Sequence, residues 1–183
     1  QCLAQQFKAH SIKRCYRALV YGLLENSRGT VDQEIGRHPV HRKKMSTRSR
    51  SGRRAVTHWQ VLRRYEQDRL TLVDLLLETG RTHQIRVHLS AMNNPVVGDP
   101  LYCGSGRSGA ITDKSLQRMV TNLNRQFLHA WQLGFQHPDG HTVLFRAAPP
   151  SELQQIIDYL EEKYQNNSSG LEISPGSDII ETT

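Results

Sequence analysis

Apolar side chains recur with two different periods along residues 3 to 163, and the switches between them predict the elements. Leu3, Phe7 and Ile12 stand at helical spacing, so residues 3 to 12 read as the last turns of an amphipathic helix. Residues 14 to 22, R-C-Y-R-A-L-V-Y-G, are rich in strand formers and stop at Gly22. A short strand is expected from Gly29 to Ile35, whereas residues 36 to 54 are polar and without period and read as an exposed loop or ribbon. Residues 55 to 65 and 69 to 78 flank Glu66-Gln67-Asp68, which predicts strand, turn and strand. The second of these is apolar on both faces in its later half, as a central strand requires. A helix holding Arg81 and Arg86 is predicted from near Thr82, with Ile85, Leu89 and Met92 on one stripe and an end at Asn93-Asn94 before Pro95.

Residues 96 to 104, V-V-G-D-P-L-Y-C-G, are turn-rich, and Asp99 reads there as a turn residue. The polar stretch 105 to 126 reads as an insertion before a weak helix. Phe127 to Phe135 and Thr142 to Ala147 flank the turn H-P-D-G-H and predict a hairpin. In the last helix Ser151 and Gln154 suggest a capping box, and Leu153, Ile156, Ile157 and Leu160 follow at i, i+3, i+4, i+7. The fold class expected is α+β, a mixed but mainly antiparallel sheet with flanking helices. Residues 1 to 165 are expected to form one domain, and 166 to 183 a disordered acidic tail.

With 183 residues, 37% of them hydrophobic, the chain can bury a core without disulfide or metal staples. Cys2, Cys15 and Cys103 are widely spaced with no C-x-x-C pair, so reduced thiols and a cytoplasmic setting are expected. No apolar run approaches the roughly 20 residues that cross a bilayer, so no membrane partner is expected. The first residues, Q-C-L-A-Q-Q-F-K, lack an initiator Met and the pattern of a signal peptide, and read as the middle of a longer frame.

Charge changes the picture most. The net charge is +7, yet residues 36 to 65 carry ten cations (Arg37, Arg42, Lys43, Lys44, Arg48, Arg50, Arg53, Arg54, Arg63, Arg64) and no acid. Residues 147 to 183 carry one Lys against seven acids. The choice for the basic run lies between a polyanion-binding surface and a merely solvated face, and the absence of interspersed acids favours nucleic acid.

The segment E-T-G-R-T-H-Q-I-R-V-H-L, residues 78 to 89, runs from a buried strand into a helix. Such a junction aims backbone N–H groups and cations at one spot, a natural anion site. Arg86 lies beside the apolar stripe and wants a carboxylate or phosphate; a structural Arg bonded to a helix end is the equal alternative. His83 and His88 are five apart, off the i, i+4 spacing of a helical zinc pair, and no metal is expected. There is no G-x-S-x-G elbow and no phosphate loop.

Taken with P-V-V-G-D-P-L-Y-C-G at 95 to 104, that segment resembles the RluA-type RNA pseudouridine synthases. The likeness extends to K-R-C-Y-R-A-L-V-Y-G at 13 to 22, G-R-H-P at 36 to 39 with Lys44 and Met45, A-V-T-H-W at 55 to 59, F-L-H-A at 127 to 130 and the P-P-S-E-L helix. The resemblance implies isomerisation of uridine to pseudouridine in structured RNA, ribosomal or transfer, by a monomer without metal or organic cofactor. It implies flipping of the target base out of its stack, an Asp nucleophile, Tyr16 stacked on the base and assisting proton removal, Ile85 against its other face, and Arg86 orienting the nucleophilic carboxylate. Arg81 would be structural or a phosphate contact, and Arg37, Arg42, Lys43, Lys44, Arg48 and Arg53 would meet RNA. The family's nucleophile sits in H-R-L-D, which these residues lack, and none of the eight Asp has that context. The chain is therefore expected to be the carboxy-terminal part of a synthase, inactive alone; the alternative is an inert RNA-binding module on the same fold.

Overall fold

A computed structural model describes residues 3–9, 11–49, 51–104 and 106–166. In chain order the elements are α1 (Leu3–Lys8), β1 (Lys13–Tyr21), β2 (Arg28–Asp32), β3 (Gly36–Arg37), β4 (Met45–Ser46), β5 (Val56–Tyr65), β6 (Leu70–Leu77), α2 (Gln84–Ala91), α3 (Lys114–Asn122), β7 (Leu128–Gln136), β8 (Thr142–Arg146) and α4 (Ser151–Asn166). Six strands form one sheet in the order β2-β5-β6-β1-β7-β8, and β3 pairs with β4 as a separate ribbon. The described strand pairs are all antiparallel, and the helices flank the sheet.

The run L-T-L-V-D-L-L-L becomes β6 in the sheet interior, flanked by β5 and β1 and buried on both faces, as its two-sided apolar pattern requires. Asp74 is tolerated within it because Arg17 on β1 meets the carboxylate with two hydrogen bonds of 2.7 and 2.8 Å. Leu153, Ile156, Leu160 and Tyr164 of α4 pack into the main core. Full burial of an aliphatic side chain is worth about 1.5–3 kcal/mol, so this stripe fixes the helix to the sheet. Lys163 on α4 also reaches the fully buried Asp68 in the β5–β6 turn at 2.7 Å.

Several expectations are corrected. The first helix stops at Lys8 rather than reaching residue 12, and of its expected stripe Ile12 is buried beyond the helix end while Leu3 and Phe7 are about half exposed; Gln6 is buried instead, its amide bonded to the Gln136 backbone. The Ser151/Gln154 capping box does not form; the first-turn N–H groups of Leu153 and Gln154 donate to the Pro150 carbonyl, and the Gln154 side chain turns to Asp158. The stretch 106 to 126, polar by composition, still adds Ile111, Leu116 and Val120 to the main core, and Asp113 caps α3 through the N–H groups of Ser115 and Leu116. The acidic tail expected beyond residue 165 lies outside the described residues, apart from the helical backbone of residue 166.

Candidate active site

The E-T-G-R-T-H-Q-I-R-V-H-L segment leaves β6, turns and enters α2, and the side chain of Gln84 holds the turn closed. Its Oε1 accepts from the Thr79 hydroxyl (2.8 Å) and the Arg81 N–H (2.9 Å), and its Nε2 donates to the Val56 carbonyl (2.9 Å) and to Thr57 Oγ1 (3.1 Å). The Thr57 hydroxyl meets His88 Nδ1 at 2.9 Å, and His88 Nε2 lies 3.2 Å from the Gln33 carbonyl. That carbonyl only accepts, so the network assigns the imidazole proton to Nε2 and leaves Nδ1 to accept. Burial lowers the His88 pKa, in keeping with a neutral ring. The helix ends at Asn93, in the left-handed region with φ 63°, where the N–H groups of Asn93 and Asn94 return to the carbonyls of Ser90 and Leu89, the paired bonds of a Schellman end.

Two expectations for this junction change. Arg81 precedes α2 rather than lying within it, and its Nε donates to the Arg54 carbonyl at 3.1 Å. The turn is also not an open cradle of N–H groups, because Gln84 takes the Arg81 N–H itself.

The two faces of α2 have different tasks. Ile85 and Leu89 sink into the core, with Ile85 4% exposed, so it is a packing residue here and offers little surface to a base. On the other face Arg86 makes a bidentate pair with Asp99, both contacts 2.7 Å; the side chains are 11% and 0% exposed. Asp99 does take part in the expected turn, accepting the N–H groups of Leu101 and Tyr102, but it is also the partner of Arg86. Burial alone would raise its pKa; Arg86 and the two N–H donors outweigh that and hold it below the ordinary carboxylate range. Nη1 of Arg86 makes no hydrogen bond among the described residues.

Tyr102 joins this pair to the basic ribbon. Its ring lies under the Arg86 guanidinium at 4.9 Å, its hydroxyl is 2.9 Å from His83 Nδ1, and it accepts the Met45 N–H at 2.8 Å. Burial and the nearby Arg86 lower the His83 pKa. A small cluster of Ile35, Ala55 and Val87, with Met45 and Tyr102 against it, seats the ribbon on α2. Beside it runs a groove of about 890 Å³ whose lining includes Lys44, Arg48, Ser90 and Tyr102.

The ten cations of residues 36 to 65 divide by structure. Arg54 pairs with Asp32, Arg63 pairs with Glu161, and Arg64 donates to the carbonyls of Leu24 and Glu25, so these three are committed to the fold. Arg50 lies outside the described residues. Arg37, Arg42, Lys43, Lys44, Arg48 and Arg53 have no acidic partner among the described residues and are exposed, Lys44 partly so.

Tyr16 sits on β1 opposite Leu75 of β6 and Ala130 of β7, and borders a pocket of about 190 Å³ with Arg14, Leu133 and Phe145. Arg14, two residues before Tyr16 and so on the same strand face, escaped the sequence reading. Its Nη2 donates to the Glu78 carbonyl at 3.2 Å, and its buried Nε has no partner. A Cβ at Gly80 would stand 2.5 Å from Arg14 Nη1, so a side chain there would push the end of Arg14 aside. The spacing K-R-C-Y was the available signal for Arg14, and D-P-L-Y that for Asp99 and Tyr102. Neither names a partner. His83 and His88, weighed as metal ligands, are engaged in separate hydrogen bonds.

The family model for RNA pseudouridylate synthase matches residues 1–91. A ribosomal large subunit pseudouridine synthase D from Nitrosomonas europaea is 44% identical over 156 residues, 85% of this chain and 43% of the relative. Its counterpart from Pseudomonas aeruginosa is 44% identical over 161 residues, 87% of this chain and 49% of the relative. The chain thus spans about half the length of the curated relatives it matches. Among solved structures, human RNA pseudouridylate synthase domain containing 1 superposes with a TM-score of 0.64 at 28% identity, covering 86% of this chain and 69% of that one.

Proposed function

We propose, from the premise that this chain belongs to the RluA type of the RNA pseudouridylate synthase family, that it carries the RNA-gripping and base-binding part of an enzyme that isomerises uridine to pseudouridine in large-subunit ribosomal RNA. One observation carries the reading: the ribbon that bears the unpaired cations is hydrogen-bonded through Met45 to Tyr102, the residue that also lies under Arg86. Phosphate contacts on the ribbon are thereby coupled to the family's central motif.

In the reaction the bond from N1 of uracil to C1′ breaks, a bond from C5 to C1′ forms, and the proton lost from C5 is balanced by one gained at N1. The base must leave its stack for these atoms to be reached. Tyr16 stacks on it and assists removal of the C5 proton. Arg86 keeps Nη1 for the nucleophilic carboxylate while Asp99 fixes its other two nitrogens, and Arg81 steadies the loop behind it. Arg37, Arg42, Lys43, Lys44, Arg48 and Arg53 position RNA through its phosphates.

The nucleophile belongs to an H-R-L-D stretch that the 183 residues do not contain. Residues 1 to 183 alone should form no pseudouridine on ribosomal RNA, and should form it when joined in frame to the part of the Pseudomonas aeruginosa relative that this chain does not cover. Product from the purified chain alone, or none from the joined protein when the intact relative is active, would refute the assignment.

A further inference from the structure

The β7–β8 hairpin turns through H-P-D-G-H, apart from Tyr16, Arg86 and the basic ribbon, and its tip gathers three ligand-bearing side chains. We propose that His137, Asp139 and His141 form a binding site for one divalent transition-metal ion of the zinc class. His137 Nδ1 lies 2.8 Å and His141 Nδ1 2.5 Å from the same oxygen of Asp139. The shared Asp139 oxygen brings both Nδ1 atoms to one point, and the two imidazoles stack there with centroids 4.7 Å apart and planes 21° from parallel. Three potential ligand atoms, one per residue, lie within 4.8 Å of one another.

The chemistry of that point favours a cation over the protons now implied. One carboxylate oxygen between two Nδ1 atoms demands a proton on each ring, aimed at a single acceptor. A metal ion instead takes a lone pair from each Nδ1 and one from the carboxylate. Zinc–nitrogen and zinc–oxygen bonds of about 2.0–2.2 Å place tetrahedral ligands about 3.3 Å apart, so each Nδ1 needs to draw away from the carboxylate oxygen by less than about 1 Å. Two imidazoles with one carboxylate suit zinc, nickel or copper, whereas magnesium and calcium want a shell of oxygens.

The backbone makes the site inexpensive to order. All three ligands come from five consecutive residues, closed by His137 N–H to the His141 carbonyl at 2.8 Å and Gly140 N–H to the His137 carbonyl at 2.9 Å. Gly140 has φ +96°, a conformation open to glycine, which lets the chain reverse between Asp139 and His141. The side chains are about half exposed, which leaves the remaining coordination position to water. At about 3.3 Å per residue, position 137 lies roughly 20 Å along β7 from Ala130 opposite Tyr16, so the ion would brace the hairpin and take no part at Tyr16.

Titration of the purified chain with ZnCl₂ by calorimetry, in a buffer that does not chelate, tests the site; CoCl₂ with visible absorption reports its geometry. One equivalent should bind, and His141→Ala and Asp139→Asn should each weaken it by at least about tenfold, since either removes a direct ligand or its charge. Cys103→Ser should leave the affinity unchanged. Amide exchange across residues 132 to 146 should slow with zinc in the parent and not in the variants. Absence of saturable binding up to about 1 mM Zn²⁺, or undiminished affinity in the His137→Ala/His141→Ala double variant, would overturn the proposal. The exposed turn makes misfolding of these variants a poor explanation for lost binding, and their unaltered thermal transition without metal checks it.

Discussion

Replacing Arg86 by Met retains much of the side chain's apolar stem and removes the cation that faces Asp99. Asp99 is 0% exposed, so the variant strands a carboxylate with only the N–H groups of Leu101 and Tyr102 for solvation. Breaking a buried pair from one side costs about 3–5 kcal/mol. For a chain of this length that is a fall in Tm of about 6–20 °C. The pH dependence separates this cause from lost packing. In the parent the Asp99 pKa is held below its ordinary value of 3.8, so its contribution is complete above that pH and disappears as pH falls through the lowered value. In the variant burial dominates and raises the pKa, so the folded state binds the proton more tightly than the unfolded one and the variant loses stability as pH rises from 3.8 through the raised value. The difference between the two proteins should therefore be largest at neutral pH and shrink toward pH 4. Urea unfolding at a series of pH values measures it, and adding Asp99→Leu to the variant should recover part of the loss. A penalty under about 1 kcal/mol at pH 7, or one independent of pH, would refute the account of a buried, coupled pair.

Two further outcomes follow from the link between ribbon and motif. Reversing Arg42, Lys43, Lys44 and Arg48 to Glu should weaken RNA binding and flatten log K against log salt by about 0.7–0.9 for each phosphate no longer neutralised, read by filter binding; an unchanged slope would mark the run as bystander surface. Tyr102→Phe keeps the ring under Arg86 but leaves the Met45 N–H and His83 Nδ1 without their shared partner, at a cost of about 1–3 kcal/mol; hydrogen exchange at Met45 should rise more than at α2, and equal change at both would contradict a local tether.

The order and type of most elements follow from the sequence because periodicity is a local property. The two-sided apolar run of β6, the H-P-D-G-H hairpin, the stripe on α4 and the Asn93-Asn94 helix end are each determined within about ten residues, and the family resemblance rests on contiguous motifs. What only the tertiary structure decided are pairings between residues distant in sequence or choices between equivalent faces. Leu3 and Phe7 have helical spacing, yet spacing does not say whether a partner surface lies opposite, and Gln6 is buried instead because the Gln136 backbone meets its amide. Asp99 is legible as a turn residue, but the pair with Arg86 exists only because the chain after α2 doubles back along that helix. The basic run reads as one block of charge, whereas folding assigns Arg54, Arg63 and Arg64 to acids and carbonyls from β2, α4 and the segment after β1, and leaves Arg37, Arg42, Lys43, Lys44, Arg48 and Arg53 without an acidic partner among the described residues. Local sequence fixes what a segment can become; which of its polar groups stay free is fixed by desolvation against neighbours that other segments supply.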